Sequence, residues 1–131
     1  MGIPHVVMDS EAYRHLTPNA RAVLSEIVRK FNGYNNGKIG IGYREIANRL
    51  NRSDMHFILP AIIQLIEHGL LDVTAQQSWT DRRVREYRLT FISTGVSGHR
   101  GNATNEYLSW RPAAESTRKK KSKMTAVDST T

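Results

Sequence analysis

Three arginines fall within four residues, Arg82, Arg83 and Arg85, in a stretch that joins two alternating apolar runs. At the tip of a hairpin such a group is suited to phosphate or minor-groove contact. A solubilising hairpin edge is the competing role, but three arginines exceed what edge protection needs. A second basic group, Arg118-Lys119-Lys120-Lys121 followed by Lys123, stands near the end among Ser and Thr. Arg44, Arg49 and Arg52 form a third group, placed to lie on the exposed side of a helix and in the turn after it. They either position a nucleic-acid backbone or are ordinary surface charges. Trp79, in the same loop as the first group, is expected to pack across its own hairpin.

The distribution of charge supports a polyanionic partner. The 131 residues carry a net charge of +7. Residues 1–77 hold 8 Lys and Arg against 7 Asp and Glu, whereas residues 78–131 hold 11 against 5. A basic stripe beside a balanced domain suits nucleic acid first. Other chemistries find little support. There is no Cys, hence no disulfide framework and no thiolate metal site. The five histidines, His5, His15, His56, His68 and His99, show no metal-ligand spacing. No nucleophile or carboxylate pair stands in a recognisable catalytic context, and no glycine-rich phosphate loop precedes a helix, so neither an enzyme nor a cofactor is expected. No small-molecule substrate is evident. No apolar run approaches the roughly 18–20 residues of a membrane span. The first residues lack the pattern of a secretory signal, which makes the cytoplasm the expected compartment.

The elements that must position these residues follow from apolar spacing. His5-Val6-Val7-Met8 suggests a short strand or extended arm. Asp9 or Ser10 can cap a short helix through Leu16. Thr17-Pro18 then starts a helix, with Thr as N-cap and Pro at the first helical position. Ala20, Val23, Leu24, Ile27, Val28 and Phe31 give it one buried stripe. Asn32-Gly33 and Asn35-Asn36-Gly37 break it, and Lys38–Ile41 is a short strand candidate. A second helix spans about Tyr43–Leu50 and buries Tyr43, Ile46, Ala47 and Leu50. Asn51-Arg52-Ser53 is the turn. Ser53 is expected to cap a third helix over about Asp54–His68, stopped by Gly69. Leu71–Ala75 and Val84–Ile92 alternate as two strands, with Gln76–Arg83 as their loop.

This order carries a resemblance. Phe31 to Ile39, Tyr43 to Leu50, Leu65 to Leu71 and Glu86 to Thr90 are similar to segments of winged helix-turn-helix DNA-binding proteins of bacterial plasmids, phages and other mobile elements. The likeness covers residues 17–91. It implies a mainly α fold with a small β-hairpin wing (α+β), docked on double-stranded DNA by its helix pair and hairpin. Four segments are expected: an N-terminal arm over 1–8, the winged domain over 9–92, an extension with a small apolar cluster (Tyr107, Leu108, Trp110) over 93–112, and a basic, disordered tail over 113–131.

The third helix departs from the family pattern. With Ile58, Ala61, Ile62, Leu65 and Ile66 on the core side, its outward side is His56, Phe57, Pro60, Ile63, Gln64 and Glu67. Base-reading helices usually present Arg, Lys, Asn, Gln, Ser or Thr. Here Ser53, His56 and Gln64 are the polar candidates for DNA contact, while Phe57 and Ile63 suggest a protein interface. Pro60 removes an N–H and crowds the His56 carbonyl, so a kink or a late start is expected. The leading expectation is a DNA-binding transcriptional regulator or accessory factor of a mobile element. A dimerisation or partner-binding module on the same fold, with a second copy of the chain as one partner, is the alternative. An origin-binding protein resembling plasmid or phage replication initiators is a third.

Overall fold

Thr17 and Pro18 open the central helix of the protein. The Thr17 hydroxyl accepts from the Ala20 amide at 3.2 Å, and Pro18 stands at the first helical position. This helix, α3 (Pro18–Lys30), buries Ala20, Val23, Leu24, Ile27 and Val28, the stripe expected from the spacing, with Phe31 half-buried beyond it. The computed structural model describes residues 2–112 apart from Trp79, Asp81, Ser93, Ser97, Gly98 and Asn102. The tail expected over 113–131 lies outside the described residues.

Two four-residue helices precede α3: α1 (His5–Met8) and α2 (Glu11–Arg14). The strand or arm expected at 5–8 is thus a helical turn, closed by Asp9 N–H on His5 O at 2.8 Å. Among the described residues no strand pairs with this segment, so the preference of Val6 and Val7 for strands has no ladder to join. One side chain, Val7, enters the core instead. Ser10 caps α2 by accepting from the Tyr13 amide, as expected.

After α3 the Asn/Gly turn is held by its own side chains. Asn32 Oδ1 accepts from the Tyr34 and Asn35 amides, and Gly33 and Gly37 take φ of +99° and +96°. Then come β1 (Ile39–Gly40), α4 (Tyr43–Arg49), α5 (Ile58–Glu67), β2 (Leu71–Ala75) and β3 (Glu86–Leu89). The three strands form an antiparallel sheet in the order β1-β3-β2. Ile39 pairs with Tyr87, and Leu71 with Leu89. Thr74 is an extra residue on β2, a bulge between the pairs Val73–Tyr87 and Ala75–Glu86. The architecture is α+β, with the core between α3, α5 and the inner face of the sheet.

The third helix begins four residues later than expected. Residues 54–57 do not join it. Phe57 is its N-cap and makes no side-chain cap bond, so Ser53 does not serve as the cap. Starting at Ile58 puts Pro60 in the first turn, where a missing N–H costs nothing; a start at Asp54 would have placed it inside the helix, against the His56 carbonyl. The other end is as expected. Gly69 at φ +78° forms a Schellman stop, with Leu70 N–H on Leu65 O and Gly69 N–H on Ile66 O, both 3.0 Å.

Beyond β3, a composition of Gly, Ser and Thr still forms a hairpin, β4 (Thr94–Val96) with β5 (His99–Gly101). A 3-10 helix over Glu106–Ser109 then returns to the domain. Tyr107 is buried, edge-on to Phe91. Trp110 stacks on buried His68 with ring centres 4.0 Å apart, and His68 Nδ1 donates to Ala12 O at 2.7 Å. Leu108, assigned to this cluster from sequence, points outward instead. In a helix whose buried residue is Tyr107, the next side chain falls on the opposite side.

Candidate nucleic-acid interface

The loop between β2 and β3 carries the first arginine group. Ser78 and Arg83 exchange both backbone hydrogen bonds at 2.9 Å, which closes the loop into a narrow tip. Arg82 lies at that tip with φ +56°. Glycine or asparagine takes this left-handed conformation more readily than arginine does. Arg82, Arg83 and Val84 are exposed, and with Gln77 and Ser78 they line an open recess of about 380 Å³. Arg85 is different. It is half-buried, and its Nη1 donates to Tyr43 Oη at 3.0 Å. The β3 strand begins at Glu86 and not at Val84, so Val84 and Arg85 belong to the loop. Trp79 lies outside the described residues, as do Arg118, Lys119, Lys120 and Lys121.

The second helix and its turn hold the other arginines. Arg44 is exposed on α4. Arg49 reaches Glu45 Oε2 through both Nε and Nη2 at 3.2 Å, and Lys30 Nζ meets the same oxygen at 3.2 Å. Partial burial raises the Glu45 pKa. The hydrogen bonds and charges of Lys30 and Arg49 outweigh that effect and hold it below the ordinary carboxylate value. Arg52 covers the Phe57 ring at 4.0 Å and pairs with Asp54 at 3.7 Å. Arg49 and Arg52 therefore have acidic partners within the protein, while Arg44 and Arg82 present charge at the surface.

The face of α5 differs from the sequence expectation at two places. Phe57 is half-buried beneath Arg52, not outward, because it precedes the helix. Ile66, assigned to the core, is 37% exposed and joins Leu59 (45%) and Ile63 (44%) in one stripe. The spacing of four and then three residues keeps them on one side of the helix. A buried set of Ile58, Ala61, Ile62 and Leu65 faces α3 and the sheet, so the core stripe is narrower than the sequence suggested. Gln64 Oε1 accepts from the Thr17 amide at 3.1 Å and the Thr17 hydroxyl at 3.0 Å, tying α5 to the start of α3. Its acceptor is thus engaged within the protein. Ser53 and His56 are exposed, and the His56 amide donates to Asp54 Oδ1 at 3.2 Å. Pro60 and Glu67 are exposed.

Periodicity alone gave Tyr43 a place in the core, and it missed the hydrogen bond to Arg85. The available signal was chemical: a half-buried tyrosine hydroxyl usually finds a polar partner. Among the described residues no group of three or more His, Cys, Asp or Glu could hold a metal, and no helix is long and apolar enough to cross a membrane. No protein-family model, curated protein or solved structure matches this chain.

Proposed function

We propose that the chain is a winged helix-turn-helix that binds double-stranded DNA through phosphate contacts from the β2–β3 loop and α4. The observation that carries this reading is topological. Helix α3, strand β1, helices α4 and α5 and an antiparallel hairpin follow in order, and the last strand inserts between the other two. A helix pair followed by such a hairpin presents a docking helix and a wing to one duplex. Arg82 adds support. A residue held at φ +56° in place of the easier glycine is a local cost that a contact outside the fold would offset.

The affinity in this reading comes mainly from counterion release. The α5 stripe offers no donor to base edges, so sequence preference comes largely from the shape of the duplex. By the resemblance of residues 17–91, the role is that of a transcriptional regulator or accessory factor of a bacterial mobile element.

The test is the double variant Arg82→Gly with Arg83→Ala. Glycine relieves the strained turn, so thermal stability is expected to hold. Duplex affinity should fall, and the slope of log affinity against log salt should shrink by about 0.9 for each phosphate no longer neutralised. An unchanged slope would remove the wing from the interface.

One observation favours a second reading, a protein contact through α5: the exposed stripe Leu59, Ile63 and Ile66. Three partly exposed aliphatic side chains fall well short of the roughly 800 Å² per partner of a standard interface. A contact made through this stripe alone is therefore expected to be weak. The triple variant Leu59→Ser, Ile63→Ser, Ile66→Ser separates the two readings. On the DNA reading it keeps the solution mass of the wild type and its salt slope. A drop in mass by sedimentation, with the melting temperature unchanged, would favour the protein contact.

A further inference from the structure

We propose that Tyr43 is a positioning residue that holds the Arg85 guanidinium as a fixed phosphate donor at the base of the wing, an inference that rests on the duplex-binding reading above. Three groups meet there from separate places in the chain. Tyr43 is the first residue of α4, Arg85 immediately precedes β3, and Tyr87 lies within β3. Arg85 Nη1 donates to Tyr43 Oη at 3.0 Å, and the guanidinium carbon lies 5.7 Å from the centre of the same ring. Tyr87 is fully buried. Its hydroxyl and Arg85 Nε are both buried without a hydrogen-bond partner among the described residues.

This environment differs from that of three other engaged arginines. Arg49, Arg52 and Arg88 each rest on a carboxylate, on Glu45, Asp54 and Asp72 respectively. No carboxylate pairs with Arg85 among the described residues; its partner is a neutral phenol. A carboxylate cancels a guanidinium's charge, whereas a phenol orients the group and leaves the charge intact. Burial, only partly opposed by the charge and close approach of the Arg85 guanidinium, pushes the Tyr87 phenol up to about 12, so it stays neutral. The cluster therefore has donors in excess. Tyr43 Oη, having accepted from Arg85, retains its own proton. An anionic oxygen at the edge of the cluster supplies the missing acceptor. Holding the guanidinium beforehand also removes part of the ordering cost that a free arginine meets on binding.

The experiment is a double-mutant cycle on the full chain, with Tyr43→Phe, Arg85→Ala and both together. Each protein is titrated with a random-sequence duplex at several salt concentrations, beside a thermal melt. Tyr43→Phe keeps the ring and should keep the melt. It is expected to weaken binding about three- to tenfold, the scale of ordering one flexible side chain. Its salt slope should stay that of the wild type, while Arg85→Ala lowers the slope by about 0.9. In the Arg85→Ala background the Tyr43→Phe penalty should vanish, which a purely structural role of Tyr43 would not produce. If Tyr43→Phe binds as the wild type does, or its penalty persists without Arg85, the positioning role is overturned while duplex binding stands. If the wild type shows no salt-dependent binding, both are overturned. Should Tyr43→Phe melt lower, Arg85→Lys supplies the second variant. It keeps the charge but not the fork held by the phenol, so it should bind more weakly than wild type, and equal binding would overturn the proposal.

Discussion

Replacing Asn36 with Ala should destabilise the fold by about 3 kcal/mol, because several buried polar groups lose their partner at once. Asn36 lies within the Asn/Gly turn and is buried at the edge of β3. Its Oδ1 accepts from the Leu89 amide at 2.7 Å, and its Nδ2 donates to Leu89 O at 2.9 Å and Ile92 O at 2.7 Å. Strand β1 covers β3 only at Glu86 and Tyr87. Beyond that point the Asn36 amide takes the place of a peptide group and continues the ladder. In a domain of this size the loss corresponds to a fall in melting temperature on the order of 10–20 °C. Asn36→Asp separates donor from acceptor. It keeps an oxygen for the Leu89 amide but sets a carboxylate against two carbonyl oxygens. That carboxyl would titrate above its unfolded value of about 3.9 in the folded state, so its penalty is absent below that value and full above the raised one. Relative to wild type, the Asp variant should therefore recover stability as pH falls. A melt of either variant at neutral pH within a few degrees of wild type would show that Asn36 does not carry the edge.

Gly69→Val should be nearly as damaging, for a different reason. At φ +78° a side chain is disfavoured, most of all a β-branched one. A Cβ at this position would also lie 3.0 Å from the backbone of Glu106 and Tyr107. Backbone cannot yield as a flexible side-chain end can. Either the Schellman turn opens or the 3-10 helix lifts away, and with it Tyr107 and the Trp110 stack on His68. We expect a loss of about 2–4 kcal/mol, combining left-handed strain with disturbed packing. A thermal melt checks the size, and Trp fluorescence checks whether Trp110 leaves His68. Gly69→Ala should show a smaller effect of the same kind. If Ala at 69 leaves both signals unchanged, the close approach of the C-terminal segment does not constrain this turn.

How much was legible in the sequence depended on whether a signal was local. The start of α3 was legible because Thr17 and Pro18 act within one turn, and its buried face because five apolar residues follow one spacing. The Gly69 stop was equally local. The start of α5 was misplaced because Ser53 looked like a cap, while Pro60 favoured a later start that places it in the first turn. Ile66 was misassigned because a wheel does not say how wide the buried face is; the packing of α5 on α3 and the sheet decides that. Segment 5–8 went wrong because β-branched residues form strands only beside a partner strand. Of the candidate site, the charge of Arg82 and Arg83 was legible from composition. That Arg85 is held by Tyr43, 42 residues away in the chain, was not. Nor was the engagement of Gln64 by Thr17, which depends on how two helices meet.

Binding of DNA by the wing is the central claim, and salt dependence on a random-sequence duplex tests it most directly. The full chain would be titrated between roughly 50 and 200 mM salt, beside the Arg82→Gly, Arg83→Ala variant. The account predicts that log affinity of the wild type falls linearly with log salt, with a slope of about −3 to −5 for three to five neutralised phosphates. The variant should give a line shallower by up to about 1.8. No measurable binding by the wild type, an affinity independent of salt, or two lines of equal slope would contradict it.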